Sequence, residues 1–197
     1  MSDSLRQVRA DYDRDAVVIY QAYDDRIADA ALAQGRFVGP HFSFSRMTWI
    51  KPSFLWLMHR SHWGTSRGQT RTLAVRLRRA GFDHALSVAV STDPTARLYD
   101  SYPAWRAAFE AAPVHVQWDT ERALSGSALA HYSIQVGLSR HVIRTFVDEW
   151  IVSISDLTDR VSKMRAFVQG GRTDRARALL PPERLYPVED AVTRRWS

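Results

Sequence analysis

Hydrophobic and polar positions alternate with two different periods along this chain. Short apolar runs and two-residue alternation predict strands at residues 16–23, 71–78, 114–119 and 132–139. Apolar positions spaced three and four apart predict helices at residues 24–35, 81–90, 101–113 and 158–171. The strands and helices interleave without a strict strand–helix rhythm. The pattern therefore predicts the α+β class, as a single domain of mixed and antiparallel sheets with flanking helices.

Three stretches leave the type or extent of the element open. Residues 120–131 are predicted as a loop or a helical turn. Residues 140–158 fit either one helix or a helix followed by a strand at "WIVSI". The segment "LPPERLYPVED" is predicted as an irregular tail. With no linker or repeat, residues 1–197 are predicted to form one domain with a core over about residues 6–188.

The stretch "RMTWIKPSFLWLMHRSHWG", residues 46–64, combines aromatic and basic residues densely. It holds three of the seven tryptophans and Lys51, one of two lysines in the chain. Because proline is disfavoured inside a helix but accepted in its first turn, a helix is predicted to begin near Lys51 or Pro52. At helical spacing, Phe54, Leu57 and Met58 form a buried stripe, and the neighbouring face carries the polar and aromatic side chains Ser53, Trp56 and Arg60.

The cations before this helix predict an anion-binding site. Arg46 and Lys51 lie near the positive end of the helix dipole, where a cation gains nothing. A phosphate group would explain both, with a base or a nicotinamide stacked on Trp49 or Trp56. The alternative is that the cations are solvated and the tryptophans belong to the core.

Composition narrows the class of protein. Hydrophobic residues make up 45% and charged residues 24%, as in ordinary globular proteins. No apolar run has the length of a membrane span and the first residues are polar, so a soluble, cytoplasmic protein is expected. The absence of cysteine excludes disulfides and thiolate chemistry. A net charge of +6 favours a nucleotide or nucleic-acid partner only weakly, since the arginine excess is also typical of GC-rich coding.

Several catalytic signatures are missing from the sequence. The segment "GTSRGQ" lacks the Lys-Ser/Thr ending of a phosphate-binding loop, and there is no nucleophile elbow. His59 and His62 are three residues apart, but two imidazoles without a carboxylate hold a metal poorly, so no metal is expected. The acidic pairs at residues 24–25 and 148–149 are predicted to be helix caps and surface charges.

Four segments carry a resemblance to a known family. They are "IYQAY" (19–23), "RMTWIKPSFLW" (46–56), "VQWD" (116–119) and "SIQVGL" (133–138). Through them nearly the whole chain resembles the family of domain of unknown function 4291 (DUF4291). The name of that family implies no activity.

The order of elements is also similar to that of ADP-ribosyltransferases, including those that modify DNA. This resemblance implies a protein that binds NAD and transfers ADP-ribose to nucleic acid or another acceptor. It places Gln21 where such enzymes carry Arg or His, and Gln135 where they carry the catalytic glutamate. The residues that it implies for NAD binding are Tyr20, Arg46, Thr48, Trp49, Lys51, Ser53 and Trp56.

The glutamine at position 135 is a chemical departure from that pattern. Glutamine can hydrogen-bond a ribose hydroxyl, but it offers no charge to the cation that develops when nicotinamide leaves. Either another carboxylate replaces the glutamate, from Asp119, Glu121 or Glu149, or the protein is a non-catalytic module that binds a nucleotide or nucleic acid. The third hypothesis is a structural protein with a tryptophan-rich core. A transferase would bring Gln21 and Gln135 to one cleft, and Gly137 would leave room for a ligand beside Gln135.

Overall fold

The computed structural model describes residues 5–94 and 98–194. The strands in these ranges are β1 (Arg9–Tyr12), β2 (Ala16–Tyr23), β3 (Thr48–Ile50), β4 (Arg71–Arg78), β5 (Ala89–Ser91), β6 (Val114–Arg122), β7 (Ala128–Leu138), β8 (Ile151–Asp156) and β9 (Arg184–Leu185). The helices are α1 (Asp25–Gln34), α2 (Phe54–Arg60), α3 (Arg79–Ser87), α4 (Tyr102–Ala111), α5 (Ile143–Thr145, continued by a π-helical segment, Phe146–Trp150), α6 (Thr158–Gln169), α7 (Thr173–Arg177) and α8 (Asp190–Thr193). No helix within the described ranges has the length and apolar character needed to cross a membrane.

The described strands form two sheets. The first has the order β8-β4-β2-β1-β9 and is antiparallel throughout, and the second has the order β3-β7-β6-β5, with only β5 and β6 parallel. The predicted α+β class, with mixed and antiparallel sheets and flanking helices in a single domain, is confirmed.

The two sheets meet at the residue that follows β3. Strand β3 pairs with β7 in the second sheet. One residue later, the carbonyl oxygen of Lys51 accepts a hydrogen bond of 2.7 Å from the backbone N–H of Tyr20, in β2 of the first sheet. Because Pro52 cannot continue the strand ladder, the chain then turns into α2. Lys51 is thereby fixed at the junction of the sheets.

The core has two parts, which follow the apolar faces of the sheets and helices. The larger part includes Val17 and Ile19 of β2 and Val136 and Leu138 of β7. The smaller part lies under α2 and α6, and its α2 members are the predicted stripe Phe54, Leu57 and Met58, which are at most 2% exposed. That prediction is confirmed.

The ends of α1 and the early acidic pair follow the sequence prediction. The Asp24 side chain caps α1 by accepting a hydrogen bond of 3.1 Å from the N–H of Ile27. Gly35 ends the helix in the left-handed conformation, at φ 65°. Asp25 and, in the second acidic pair, Asp148 are exposed and form ion pairs with arginines at the surface.

Three sequence predictions of local structure are corrected. Helix α2 begins at Phe54, because β3 occupies residues 48–50 and Ser53 supplies the cap. Residues 120–131 are mostly the paired ends of β6 and β7, closed by a turn at Gly126, and not a loop or a helical turn. The C-terminal tail is not wholly irregular, because β9 adds an edge strand beside β1 and buries Tyr186.

Candidate functional site

A cavity of about 320 Å³ opens where the two sheets meet. Its volume lies near the lower end of the roughly 300–1,000 Å³ typical of small-molecule sites. It is bounded by the end of β2, the loop before β3, and β3 itself. Of the site residues predicted from the sequence, those in its wall are Gln21, Arg46, Thr48, Trp49 and Lys51.

Lys51 is a cation of this wall whose ammonium group contacts neighbouring residues. Its Nζ donates a hydrogen bond of 2.8 Å to the carbonyl oxygen of Trp49 and lies 5.6 Å from the ring centroid of Trp56. Burial, with a smaller contribution from Arg60, lowers the pKa of Lys51 to about 8, and Asp119 opposes the change. The ammonium group is thus poorly solvated and has no carboxylate in direct contact among the described residues, so an anion in the cavity would stabilise it.

Gln21 contributes an acceptor without a partner. Its Nε2 donates to the Tyr23 hydroxyl at 2.9 Å and to the carbonyl oxygen of Trp49 at 3.4 Å. Its Oε1 is buried and accepts no hydrogen bond from any described residue. Since an unpaired buried polar atom costs free energy, a hydroxyl or amide of a ligand in the cavity would satisfy it.

Gln135 lies on the adjacent strand ladder and is not among the residues that line the cavity. Its Nε2 donates to Oδ2 of Asp119 at 2.7 Å, and Nε2 of Gln117 donates to Oδ1 of the same carboxylate at 3.0 Å. The structure therefore brings Gln21, but not Gln135, to the cavity wall. It also places a carboxylate directly beside the position at which the glutamate was missing.

The Asp119 carboxylate and Lys51 lie on the same face of the second sheet. Trp49 pairs with Gly137, and Gln117 pairs with Gln135. Because directly paired residues lie on one face and every second residue returns to it, Asp119, Gln135 and Lys51 share that face. Of the other two candidate carboxylates, Glu121 is buried and bound by the Ser133 hydroxyl, and Glu149 is exposed in the π-helical segment.

The space beside Gly137 is filled by the protein and does not accommodate a ligand. A Cβ atom at this position would lie 2.8 Å from Sδ of Met47 and 2.9 Å from the Trp49 ring. The expectation that a ligand approaches the strand here is wrong. The glycine instead allows the indole of Trp49 and the side chain of Met47, both in the cavity wall, to pack close to β7.

Two predicted ligand-binding residues have structural partners. The Ser53 hydroxyl accepts a hydrogen bond of 3.2 Å from the N–H of Trp56 and so caps α2. Tyr20 is 1% exposed and packs edge-to-face on Phe54 at 5.3 Å between ring centroids. Neither side chain is in the cavity wall. The Ser53 hydroxyl fixes the start of α2, and Tyr20 packs β2 against that helix.

The sequence pattern did not single out part of the cavity wall. His41, Phe42 and Ser43 come from the loop "FVGPHFSFS", where no hydrophobic period operates. Tyr23 lies at the end of β2 and contacts Phe42 with their ring centroids 6.1 Å apart. The density of aromatic residues in a glycine- and proline-containing loop was the available signal.

Trp56 allows a test of whether its indole serves the core or the site. It is partly exposed, so Trp56→Ala is expected to lower the free energy of unfolding by about 1–2 kcal/mol, below the roughly 3–5 kcal/mol of a core tryptophan. Trp105→Ala is the matched control, because Trp105 is 9% exposed and donates its indole N–H to Ser91. Urea unfolding measures both. Equal losses would assign Trp56 to the core.

The described residues contain no group of three or more His, Asp or Glu side chains arranged to hold a metal ion.

The comparison with known families matches one that is described as a domain of unknown function (DUF4291), over residues 7–186. This range includes all the residues of the cavity wall. No curated protein matches the chain.

Proposed function

The chain belongs to the DUF4291 family, whose description assigns no activity, and we propose that it is an ADP-ribosyltransferase-like protein that binds NAD in the cavity beside Lys51. The acceptor of the ADP-ribose is nucleic acid or another nucleophile. The observation that carries the proposal is the wall of this cavity, which is lined by Lys51, Arg46 and Gln21, the last with a buried Oε1 that has no hydrogen-bond partner among the described residues. The order of the elements, with an early strand carrying Gln21 and a late strand carrying Gln135, supports the same reaction class.

Within this proposal, several residues of the cavity wall have a task in substrate binding. Arg46 and Lys51 attract the diphosphate of NAD, since both are cations without a carboxylate in direct contact among the described residues. Gln21 accepts a hydrogen bond from a hydroxyl or amide of the substrate at Oε1. Trp49 provides aromatic surface on which a ring can stack.

The transfer itself exchanges one bond at the ribose for another. The bond between C1′ and the nicotinamide nitrogen breaks, and nicotinamide leaves with the electron pair. The acceptor forms a new bond to C1′ and loses a proton. Positive charge develops on the sugar in between. We assign its stabilisation to the Asp119 carboxylate, which lies outside the cavity wall but on the same sheet face as Lys51, and which the amides of Gln117 and Gln135 hold in place.

Two measurements on the wild-type protein test the proposal. Calorimetric titration with NAD is expected to show saturable binding, and incubation with NAD is expected to release nicotinamide. Calorimetry that detects no NAD binding, together with the absence of free nicotinamide, would sink the proposal.

Lys51→Met is expected to weaken NAD binding at least tenfold, a loss of about 1.4 kcal/mol. The variant removes the charge and keeps the apolar length of the side chain. Because the ammonium loses its proton as the pH rises through about 8, wild-type binding should also weaken across that range. Calorimetry at pH 7 and pH 9 measures both effects.

Lys163→Met is the matched control for Lys51→Met, because Lys163 is exposed on α6. It should bind NAD as the wild type does. Removal of a desolvated cation should leave the Lys51→Met protein at least as stable as the wild type. A Lys51→Met protein that is fully folded and binds NAD unchanged contradicts the assigned role.

A non-catalytic module that binds a nucleotide or nucleic acid is the second candidate. Two observations favour it: Gln135 carries no charge and lies outside the cavity wall, and the net charge of the chain is +6. Tight, salt-sensitive binding of an oligonucleotide without release of nicotinamide would select this candidate.

A further inference from the structure

A second cavity, of about 330 Å³, lies at the C-terminal end of α2. It is enclosed by the turn that follows α2 and by the facing side of α6. It is separate from the first cavity, since the two share no wall residue. The polar and aromatic side chains of its wall are His59, His62, Trp63, Thr65, Arg165 and Gln169.

The wall of this cavity is rich in donors and holds no carboxylate. Arg165 is partly buried, and no described residue accepts a hydrogen bond from its guanidinium or forms an ion pair with it. One ring nitrogen of each histidine is engaged: Nε2 of His59 lies 3.0 Å from the carbonyl oxygen of Ala123, and Nδ1 of His62 lies 2.9 Å from Oγ of Ser66. The Arg165 guanidinium can therefore donate to an anion, as can Nε2 of His62 in the tautomer whose Nδ1 accepts from the Ser66 hydroxyl.

The backbone of the turn is held in a conformation that side chains disfavour. His62 and Trp63 are left-handed, at φ 50° and 57°, and Gly64 follows at 71°. The fold maintains this turn through a hydrogen bond of 2.6 Å from the Trp63 N–H to the Met58 carbonyl oxygen. Strain of this kind persists where the surroundings enforce it, and it concentrates at ligand-binding sites. Its effect here is to present two ring side chains to one cavity.

The wall also offers a flat aromatic surface beside the cation. Trp63 packs edge-to-face on His59, with 6.1 Å between ring centroids, and both side chains line the cavity. We propose that this cavity is a second binding site, for a phosphate-bearing ligand with a planar ring. A free mononucleotide and a nucleotide within a nucleic-acid strand share this chemistry. Arg165 holds the phosphate and Trp63 contacts the ring.

The indole N–H signals of the tryptophans report on the two cavities separately. Trp49 lines the first and Trp63 the second, so an NMR titration distinguishes them. The probes are inorganic phosphate, AMP and a short single-stranded oligonucleotide, and Trp63→Phe assigns the signal. AMP is expected to shift the Trp63 signal saturably and more tightly than inorganic phosphate. If the oligonucleotide binds more tightly than AMP, the natural ligand is a nucleotide within a nucleic-acid strand. If AMP binds more tightly, the natural ligand is a free nucleotide.

Arg165→Gln is expected to weaken this binding at least tenfold, with an unchanged melting temperature. Lys163→Gln makes the same charge change on the same helix, at an exposed position, and should leave binding unchanged. The proposal is overturned if no probe shifts the Trp63 signal or if only the Trp49 signal moves. Equal losses in both variants also overturn it, since they would show a diffuse charge effect. None of these outcomes depends on NAD binding at the first cavity.

Discussion

Asp119→Asn is expected to lower the rate of nicotinamide release from NAD at least about a hundredfold, because it removes the carboxylate assigned to the developing cation. The substitution keeps the size of the side chain and one of the two acceptor oxygens, and the glutamine at the other position can turn its amide so that Oε1 accepts from the new NH2 group. The fold should therefore be intact. The measurement is the initial rate of nicotinamide release at saturating NAD, with a thermal melt of each protein.

Gln135→Glu provides the complementary test of where the negative charge belongs. It places a second carboxylate at the 2.7 Å separation that now joins Gln135 to Asp119. Two carboxylates this close do not both ionise, so the variant should gain no activity at neutral pH. Asp148→Asn, at an exposed ion pair with Arg36, is the control and should keep the wild-type rate. Full activity of Asp119→Asn, or a large gain in Gln135→Glu, would move the role to position 135.

Glu183→Gln is expected to stabilise the protein by about 3–5 kcal/mol at pH 9, at roughly 1.4 kcal/mol per pKa unit, and to remove part of its pH dependence. Burial, with a smaller contribution from Glu121, raises the pKa of the Glu183 carboxyl from 4.5 to about 8, and the hydrogen bond from the Phe54 N–H opposes the change. The folded state thus holds a proton that the unfolded chain releases. The stabilisation from that proton is complete below pH 4.5 and is lost as the pH rises through 8.

Glutamine keeps the one contact that the structure requires at this position. Oε1 of Glu183 accepts a hydrogen bond of 2.6 Å from the N–H of Phe54, and an amide oxygen can replace it. Urea unfolding at pH 5 and pH 9 measures the difference between wild type and variant. Glu149→Gln, at an exposed position, should follow the wild type at both pH values. If the Glu183→Gln protein loses stability between pH 5 and pH 9 as steeply as the wild type does, the buried proton is not at Glu183.

The long elements could be predicted because their periods repeat several times. Strand β4 was predicted to its end residues, since three apolar positions alternate with arginines. Strand β3 has only three residues, too few for any period, and no element was predicted at residues 48–50. The ends of β6 and β7 around residues 120–131 were missed because residues 128–130 are exposed on both faces, which leaves no alternation to read.

The site residues could be predicted where local charge marked them. They could not be predicted where their position depends on the register between paired strands. Arg46 and Lys51 stood out as cations before a helix, and both are in the cavity wall. The pairing of Asp119 with Gln135 depends on two strands whose register sets residues 117 and 135 opposite each other. No pattern within either segment contains that information. Gln21 and the loop at His41 line the same cavity only because the folded chain brings them together, which the sequence pattern does not show.

Lys51 has two roles, one for its backbone and one for its side chain. Its carbonyl oxygen closes the junction between the sheets through Tyr20, and its side chain faces the cavity. Backbone hydrogen bonds do not depend on the side chain attached, so the junction tolerates many residue types at this position. Evolution can therefore retune what the cavity recognises by changing a single codon, without rebuilding the frame that holds it.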